Sequence, residues 1–188
     1  SAATADVVFV GEQSGDQAGW SLSRADFNAD GLLDVAMGSP YHSTTSYEGQ
    51  VSLSFAPFGP VVPLGTADGS WRGDIEDTNL GFSMATGDIN GDGYDDIVMG
   101  APHREQDTGA VYIAFGPAAL GTSVDSADIQ IAAPLNHARF GDGVYLEDIN
   151  IDGELDLIVT APDASVTESN QGAVYIEYGP ITGEYFDE

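Results

Sequence analysis

Cysteine is absent from this chain of 188 residues. Without thiols the protein can form no disulfide, no zinc–thiolate site and no cysteine nucleophile. Long apolar runs are missing too: no stretch approaches the ~18 residues that a membrane-spanning helix needs, so we expect no membrane insertion. The opening residues SAATAD lack the basic and apolar parts of a signal peptide, so this chain carries none that can be recognised.

Positive charge is scarce as well. The sequence has no lysine and only four basic residues, against 31 acidic ones, and its formal net charge is −27. Such a charge repels phosphate, so we expect no nucleic-acid partner. Two explanations of the acidity stay open: a solubilising surface, and carboxylates that bind cations. With 42% apolar residues, the chain can bury a core as a single domain spanning residues 1–188.

Three similar acidic segments divide the sequence into repeats. DFNADGLLDVAMGSP begins at Asp26, DINGDGYDDIVMGAP at Asp88 and DINIDGELDLIVTAP at Asp148. Each is preceded by a tripeptide, TAD or SAD, and followed by a run such as GAVYIAF that ends at Gly-Pro. This order predicts three repeats, at approximately 6–67, 68–127 and 128–188.

Each repeat reads as four short strands, because runs rich in Val, Ile, Tyr and Phe alternate with Gly and Pro. No segment has a convincing helical period over ten residues. In DIVMG and VYIAF the apolar residues are nearly continuous, and such strands need cover on both faces. The sequence therefore predicts an all-β fold in which four-stranded antiparallel sheets stack as blades of a β-propeller.

The acidic segments also have the spacing of a calcium-binding loop. Oxygen-bearing side chains stand at positions 1, 3, 5 and 9, glycine stands at position 6, and a backbone carbonyl at position 7 can add another oxygen. The alternative is a simple turn, since Asp, Asn and Gly favour turns. The three predicted calcium sites consist of Asp26, Asn28, Asp30, Leu32 and Asp34; Asp88, Asn90, Asp92, Tyr94 and Asp96; and Asp148, Asn150, Asp152, Glu154 and Asp156.

These residues resemble a known family. A Phe-Gly element, a calcium loop and a Gly-Ala-Pro element in this order are similar to the FG-GAP repeats of the integrin alpha-chain β-propeller. Phe140–Gly141 and Gly100–Ala101–Pro102 are identical to the two motifs, and the equivalent residues of the other repeats differ from them at one position each. The resemblance implies calcium between the first and second strands of each blade, and extracellular or cell-surface adhesion or ligand binding. The integrin propeller has seven blades, whereas this chain has three repeats.

We expect no enzymatic activity. No G-x-S-x-G element is present, and each histidine falls in a predicted loop, so a catalytic triad is not indicated. The regularly placed carboxylates are explained by metal rather than by the acid pair of a glycosidase.

Most of the basic residues are predicted to lie on the face opposite the acidic loops. One interpretation is a face that binds an acidic partner, such as an acidic glycan or a protein; the other is local charge balance. The same face carries Arg-Gly-Asp, the tripeptide that integrins bind as a ligand. The residues of this candidate ligand face are His42, Arg72, Gly73, Asp74, His103, Arg104, His137 and Arg139.

The sequence therefore predicts a calcium-binding module for extracellular adhesion or recognition of a protein or glycan ligand. The alternatives are an accessory propeller of a larger secreted hydrolase and a purely structural, calcium-stabilised spacer. Assembly has two alternatives. The strand-like Val7–Val10 stands before any complete blade, and the last blade is one strand short. Two copies could therefore close a six-bladed ring as a homodimer; alternatively, the repeats are three blades of a longer propeller.

Overall fold

The structure, a computed structural model, describes residues 5–43, 46–117, 123–133 and 135–183. Its regular secondary structure is almost entirely short β-strands, as the sequence predicts. The strands are β1 (Val8–Val10), β2 (Ser21–Ala25), β3 (Asp34–Ser39), β4 (Gln50–Ser54), β5 (Val61–Pro63), β6 (Gly69–Arg72), β7 (Ser83–Gly87), β8 (Asp96–Ala101), β9 (Ala110–Ala114), β10 (Ile129–Ala132), β11 (Gly143–Glu147), β12 (Asp156–Ala161) and β13 (Ala173–Glu177). The helical turns are Leu64–Thr66, α1 (Arg104–Asp107) and Val124–Ser126. In the described ranges no helix has the length and apolarity to cross a membrane.

Three antiparallel sheets correspond to the three repeats. Their strand orders are β2-β3-β4-β6, β7-β8-β9-β10 and β11-β12-β13. The fourth strand of each of the first two sheets comes from the segment after TAD or SAD in the next repeat, so the sheets are offset from the sequence repeat by one strand. Among the described residues, β13 has no strand on its outer side.

The sheets stack like neighbouring propeller blades. Their first strands lie side by side, with β7 between β2 and β11. One apolar core fills the space between the first and second sheets, and another fills the space between the second and third. The second sheet is therefore covered on both faces, and every residue of β8 and β9 is buried. This cover is the physical reason for the continuous apolar runs in the sequence, and it confirms the propeller-type fold.

Glycine marks the closest approach between neighbouring sheets. A Cβ on Gly100 would lie 2.2 Å from the carbonyl oxygen of Gly141, so only glycine fits there. Ser83 Oγ donates to the same oxygen at 2.8 Å. The Gly-Ala-Pro and Phe-Gly elements therefore meet across the junction between two sheets. The third sheet carries Thr160 at the position of Gly100.

The first strand does not lie in a four-stranded sheet. The sequence suggests that Val7–Val10 is available to complete a blade, but in the structure β1 pairs with a strand of its own repeat. β1 pairs in parallel with β5, and Val8 N donates to Pro60 O at 3.0 Å. Phe9 packs edge-on against Phe58, with ring centroids 5.3 Å apart. Segment 5–20 thus folds back onto the first repeat.

Candidate functional site

The acidic loops all lie at the same end of the sheets. They join β2 to β3, β7 to β8 and β11 to β12, the first two strands of each sheet. Consecutive antiparallel strands place successive connections at alternating ends. The β3–β4 and β8–β9 loops and the links between sheets therefore lie at the other end, as the strand order in the sequence predicts. We call these two ends the acidic face and the opposite face.

The second loop shows how the acidic side chains are arranged. Asp88 accepts hydrogen bonds from Gly91 N (2.8 Å) and Asp92 N (3.0 Å) on Oδ1, and from Gly93 N (2.8 Å) on Oδ2. Asn90 Oδ1 accepts from Asp92 N at 2.8 Å. The Asn90 amide donates to Asp92 Oδ2 at 3.1 Å. These bonds hold the side chains of positions 1, 3 and 5 around the curled backbone.

The other two loops repeat this hydrogen-bond pattern. Asp26 accepts from the backbone N–H groups of positions 5 and 6 at 3.0 and 2.8 Å, and Asp148 does so at 3.0 and 3.0 Å. The backbone is the same as well, since position 4 has a positive φ in all three loops: 59° at Ala29, 78° at Gly91 and 62° at Ile151. Left-handed backbone is costly for a β-branched residue. The loop bonds hold Ile151 in it, a position that the ligand spacing did not single out.

The aspartate at position 9 has a second, structural role. Asp96 is 1% exposed. Its Oδ2 accepts from Ile89 N at 3.0 Å and its Oδ1 from Gly116 N at 2.7 Å. Asp34 and Asp156 make the equivalent pairs of backbone bonds. This residue therefore fastens each acidic loop to the chain that follows the third strand of its sheet.

Burial, backbone hydrogen bonds and neighbouring charges shift the pKa values of the position-9 aspartates. Burial raises the pKa of Asp34, and the charges of Asp30 and Asp26 raise it further, against hydrogen bonds that lower it. Burial likewise raises the pKa of Asp96, and Asp92 adds to the effect. At Asp156 burial is outweighed by backbone hydrogen bonds, and its pKa is lowered. In the first two loops, ionised carboxylates are thus held close enough to disfavour one another.

The donors of these loops fit a hard cation such as calcium, since all are carboxylate, amide or carbonyl oxygens. Each carboxylate has about four lone-pair sites, so the loop bonds leave acceptor capacity free. Within the ranges that the structure describes, however, no three Asp, Glu or His side chains already stand together as a metal site. The structure thus brings together the predicted side chains of each loop, bonded to the loop's own amides, and leaves the assignment of calcium as a prediction.

The opposite face contains a cleft of about 1290 Å³. Four exposed carboxylates, Glu76, Asp77, Glu105 and Asp107, line it. The remaining lining residues are Tyr41, Tyr47, Ile75, Asn79, His103, Gln106, Thr108, Asn136 and His137. We call this the acidic cleft. The sequence did not reveal it, because its walls come from four separate connections.

The turn at α1 presents two of these carboxylates. Glu105, Gln106 and Asp107 have φ values of 51°, 59° and 65°, so this short segment is wound in the left-handed sense. Such a backbone costs L-residues about 1–2 kcal/mol each. Arg104 and His103 hold it in place, since Arg104 bonds to Asp74 and His103 Nδ1 lies 2.5 Å from Asp107 Oδ1.

Aromatic rings extend from the cleft toward the first strands. Tyr47 meets Tyr41 with centroids 5.9 Å apart, and Tyr41 meets Trp20 at 5.7 Å. Trp20 then meets Phe82 at 5.2 Å, and Phe82 meets His103 at 6.0 Å. Trp20 is 48% exposed and Tyr47 is 53% exposed. This aromatic row is a surface on which a ligand can stack, and no periodicity in the sequence marks it.

The arginines of the opposite face form ion pairs with carboxylates of the same molecule. Arg72 lies 3.6 Å from Glu12, and Arg104 lies 2.8 Å from Asp74. The other contacts are Arg139 with Asp142 and Asp163, and His42 with Asp16. This pairing favours the charge-balance interpretation over an acidic partner, because the exposed charge in the cleft is negative.

The Arg-Gly-Asp tripeptide is not displayed for recognition. The Asp74 side chain is only 11% exposed and accepts from Arg104 and, at 3.2 Å, from Tyr112 Oη. Burial alone would raise the pKa of Asp74, but the bonds from Arg104 and Tyr112 lower it overall. A Cβ on Gly73 would lie 2.2 Å from Glu48 O. The tripeptide is therefore a packed part of the fold, and its use as an adhesive ligand is disfavoured.

The FG-GAP repeat family model matches residues 18–54, 80–113 and 140–176. The chain belongs to the FG-GAP repeat family. The matched segments each begin at the Phe-Gly position and include an acidic loop, so the family and the fold agree with the resemblance noted in the sequence.

Three relatives illustrate where such repeats occur. The chain is 30% identical over 171 residues to phosphatidylinositol-glycan-specific phospholipase D of Bos taurus, covering 85% of this chain and 20% of that protein. It is 32% identical to integrin alpha-V of Gallus gallus, over 88% of this chain and 16% of that protein. It is 33% identical to integrin alpha-X of Homo sapiens, over 81% of this chain and 14% of that protein. This FG-GAP chain therefore spans about a fifth of these relatives, or less.

Proposed function

We propose that this chain is a calcium-stabilised, non-catalytic FG-GAP segment that recognises a ligand outside the cytoplasm. The observation that supports calcium most is the threefold repetition of one loop: the same side-chain bonds and the same left-handed position 4 recur in each. A turn alone would not require three carboxylates in each loop, which repel one another without a cation.

In each proposed site the side chains at positions 1, 3, 5 and 9 and the carbonyl at position 7 hold the ion. When bound, calcium supplies positive charge that relieves the repulsion among these carboxylates. The residues themselves do the positioning. Positions 1, 3 and 5 are oriented by loop amides, and position 9 is oriented by the backbone bonds that fasten it to the core. Binding is therefore coupled to the stability of the fold.

Substitution of Asp92 tests whether the second acidic loop binds calcium or is only a turn. Asp92→Asn keeps the acceptor for Tyr94 N and removes one charge beside Asp96. If the loop binds calcium, isothermal titration should show one site weakened about tenfold or more and two unchanged. Asp92→Ala, which also removes the hydrogen bonds, should weaken the same site further. If the loop is only a turn, Asp92→Asn should leave calcium titration unaffected.

The acidic cleft is the proposed ligand site. Glu105 and Asp107 already contact Arg104 and His103, whereas Glu76 and Asp77 form no ion pair among the described residues. Together with the rings of Tyr41 and Tyr47, the free carboxylates fit a positively charged segment, because cations are attracted both to carboxylates and to the faces of aromatic rings. We therefore place the recognition of a basic protein segment on the opposite face. This replaces the acidic partner suggested by the sequence, since the arginines there are already paired.

Binding of a fluorescent Arg- and Lys-containing peptide tests this site. Glu76→Gln with Tyr47→Ala should reduce its affinity by about tenfold or more, since a cation near a carboxylate and a ring gains ~1–2 kcal/mol. Glu168→Gln, an equally charge-reducing change in the exposed β12–β13 loop, is the control. An equal loss of affinity in both variants would mean that the peptide senses only the net charge.

A second candidate function comes from the relatives. Some bear the name phospholipase D, so this segment could be the accessory propeller of a larger hydrolase. A catalytic domain encoded beside these repeats would favour that role. If neither a ligand nor a catalytic domain is found, the remaining function is that of a calcium-stabilised spacer.

A further inference from the structure

The second acidic loop differs from the other two at position 4. Gly91 stands there, exposed and with a φ of 78°, whereas the first and third loops carry Ala29 and Ile151. Gly91 follows Asn90 at position 3, and no other asparagine in the sequence precedes a glycine. The chain thus places its one Asn-Gly pair in a loop whose two counterparts have a side chain at the second position of the pair.

An asparagine that precedes glycine is prone to react with its own backbone. The backbone nitrogen of the glycine attacks the asparagine Cγ and forms a C–N bond; the Cγ–Nδ2 bond breaks, and ammonia leaves with the proton of the backbone N–H. The product is a five-membered succinimide. Water then opens one of its two C–N bonds and leaves either an aspartate or an isoaspartate. A Cβ on the following residue hinders the attack, and glycine has none.

We propose that Asn90 is a deamidation site and that the hydrogen bonds of its loop control the rate of the reaction. The reactants are the Asn90 side chain, the Gly91 amide and water, so no enzyme or cofactor is needed. The proposal depends neither on calcium nor on a ligand in the acidic cleft, because every group in the reaction belongs to the loop itself.

In the folded loop the two reacting groups are bonded to other partners. Gly91 N donates to Asp88 Oδ1 at 2.8 Å. The Asn90 side chain is bonded to Asp92, since its Oδ1 accepts from Asp92 N at 2.8 Å and its amide donates to Asp92 Oδ2 at 3.1 Å. The reaction therefore requires these three bonds to open. Gly91 and Asp92 are exposed, so the loop can open locally while the sheet stays folded.

Either product changes the loop. Aspartate at position 90 places a carboxylate where the Asn90 amide now donates to Asp92 Oδ2, so a hydrogen bond becomes a contact between two negative charges. Isoaspartate lengthens the backbone by one carbon and displaces the amides of Asp92 and Gly93, which bond to Asp88. Water does not restore the amide, so the change accumulates with the age of the protein and weakens one loop of the three.

Peptide mapping by mass spectrometry after incubation at mildly alkaline pH tests the site, with two asparagines of the same chain as controls. Asn28 and Asn150 occupy position 3 of the other loops and make the same side-chain bonds to position 5. Asn90 should convert about tenfold faster than either, or more, because each ~1.4 kcal/mol of barrier from a crowding Cβ is a factor of ten. Equal rates at the three asparagines, or no conversion at Asn90, would overturn the proposal.

Two variants separate the effect of the glycine from that of the loop bonds. Gly91→Ala should lower the rate at Asn90 to that of the other two loops. The change fits the fold, because Ala29 has the same left-handed backbone and the nearest atom to a Cβ on Gly91 would be Glu154 Oε2 at 3.4 Å. Asp88→Ala should raise the rate about tenfold, because Gly91 N loses a bond to a charged acceptor. An unchanged rate in Gly91→Ala would exclude the succinimide, and an unchanged rate in Asp88→Ala would exclude control by the loop bonds.

Isoelectric focusing gives a second measurement. Each loop also has an Asp-Gly pair at positions 5 and 6, which can form the same succinimide but returns to a carboxylate of unchanged charge. One more acidic band should therefore grow with time in the parent chain, at the position of Asn90→Asp, and be absent from Gly91→Ala. Without divalent ions, Asn90→Asp should melt about 2–4 °C below the parent, because one hydrogen bond is lost. An equal band in Gly91→Ala would overturn the site, and an unchanged melting temperature in Asn90→Asp would overturn the weakening of the loop.

Discussion

Chelation of calcium with EGTA is expected to lower the melting temperature of this FG-GAP chain by about 10–30 °C. Extracellular calcium sites often have dissociation constants of ~0.1–1 mM, so at ~10 mM calcium each site adds roughly 1.4–2.7 kcal/mol. Three independent sites would then add about 4–8 kcal/mol. In a domain of this size, 1 kcal/mol corresponds to about 2–4 °C. Differential scanning calorimetry with and without EGTA measures the change.

Magnesium is the matched control for this experiment. At equal concentration it screens the net charge of −27 as calcium does, but it demands a near-octahedral site and retains water. Calcium should restore the melting temperature after chelation, and magnesium should do so poorly. Equal recovery with both ions would show that charge screening, rather than the loops, stabilises the protein. If EGTA left the melting temperature unchanged, the assignment of the three loops as calcium sites would be wrong.

Asp74→Ala is expected to destabilise the fold by roughly 3–5 kcal/mol, the usual cost of leaving one partner of a buried ion pair alone. The Arg104 side chain is 13% exposed and would keep its charge with only the exposed Glu105, 2.6 Å away, as a carboxylate partner. Tyr112 would lose its hydrogen-bond acceptor as well. Urea denaturation measures the loss. Glu76→Ala, two residues later in the same link and exposed, should change stability little.

Two further measurements separate this structural role from an adhesive one. Asp74→Ala combined with Arg104→Met should recover part of the stability, since no buried charge is then left unpaired. The attachment of integrin-bearing cells should not depend on Asp74, because its carboxylate is occupied inside the molecule. Loss of attachment in a variant that remains folded would contradict this.

The loss of folding stability at low pH should also depend on the protonation of Asp74. Its folded pKa is lowered, so its contribution is fully present above the unfolded value of about 3.9. That contribution is lost as the pH falls through the lowered folded pKa. Asp74→Asn should therefore show less loss of stability than the parent chain between about pH 4 and pH 2. A parallel pH dependence in both proteins would mean that Asp74 is not coupled to Arg104.

Short-range features were predictable because their causes lie within a few residues. The loop of Asp88 is held by bonds to groups three to five positions away, so its conformation follows from the local spacing of Asp, Asn and Gly. The cover on both faces of β8 was predictable from its continuous apolar residues. The order of the Phe-Gly, acidic and Gly-Ala-Pro elements then indicated the family, which the family model confirms.

Long-range partners were not predictable in this way. The sequence determined the three repeats, the all-β sheets and the acidic loops, because each depends on periodicity and turn chemistry. Only the tertiary structure decided that Asp74 is buried against Arg104, 30 residues away, that the arginines of the opposite face are already paired, and that β1 pairs with β5. The physical reason is that charge neutralisation and strand pairing depend on which segments meet in space, and a repeat pattern leaves that choice to the packing of the sheets.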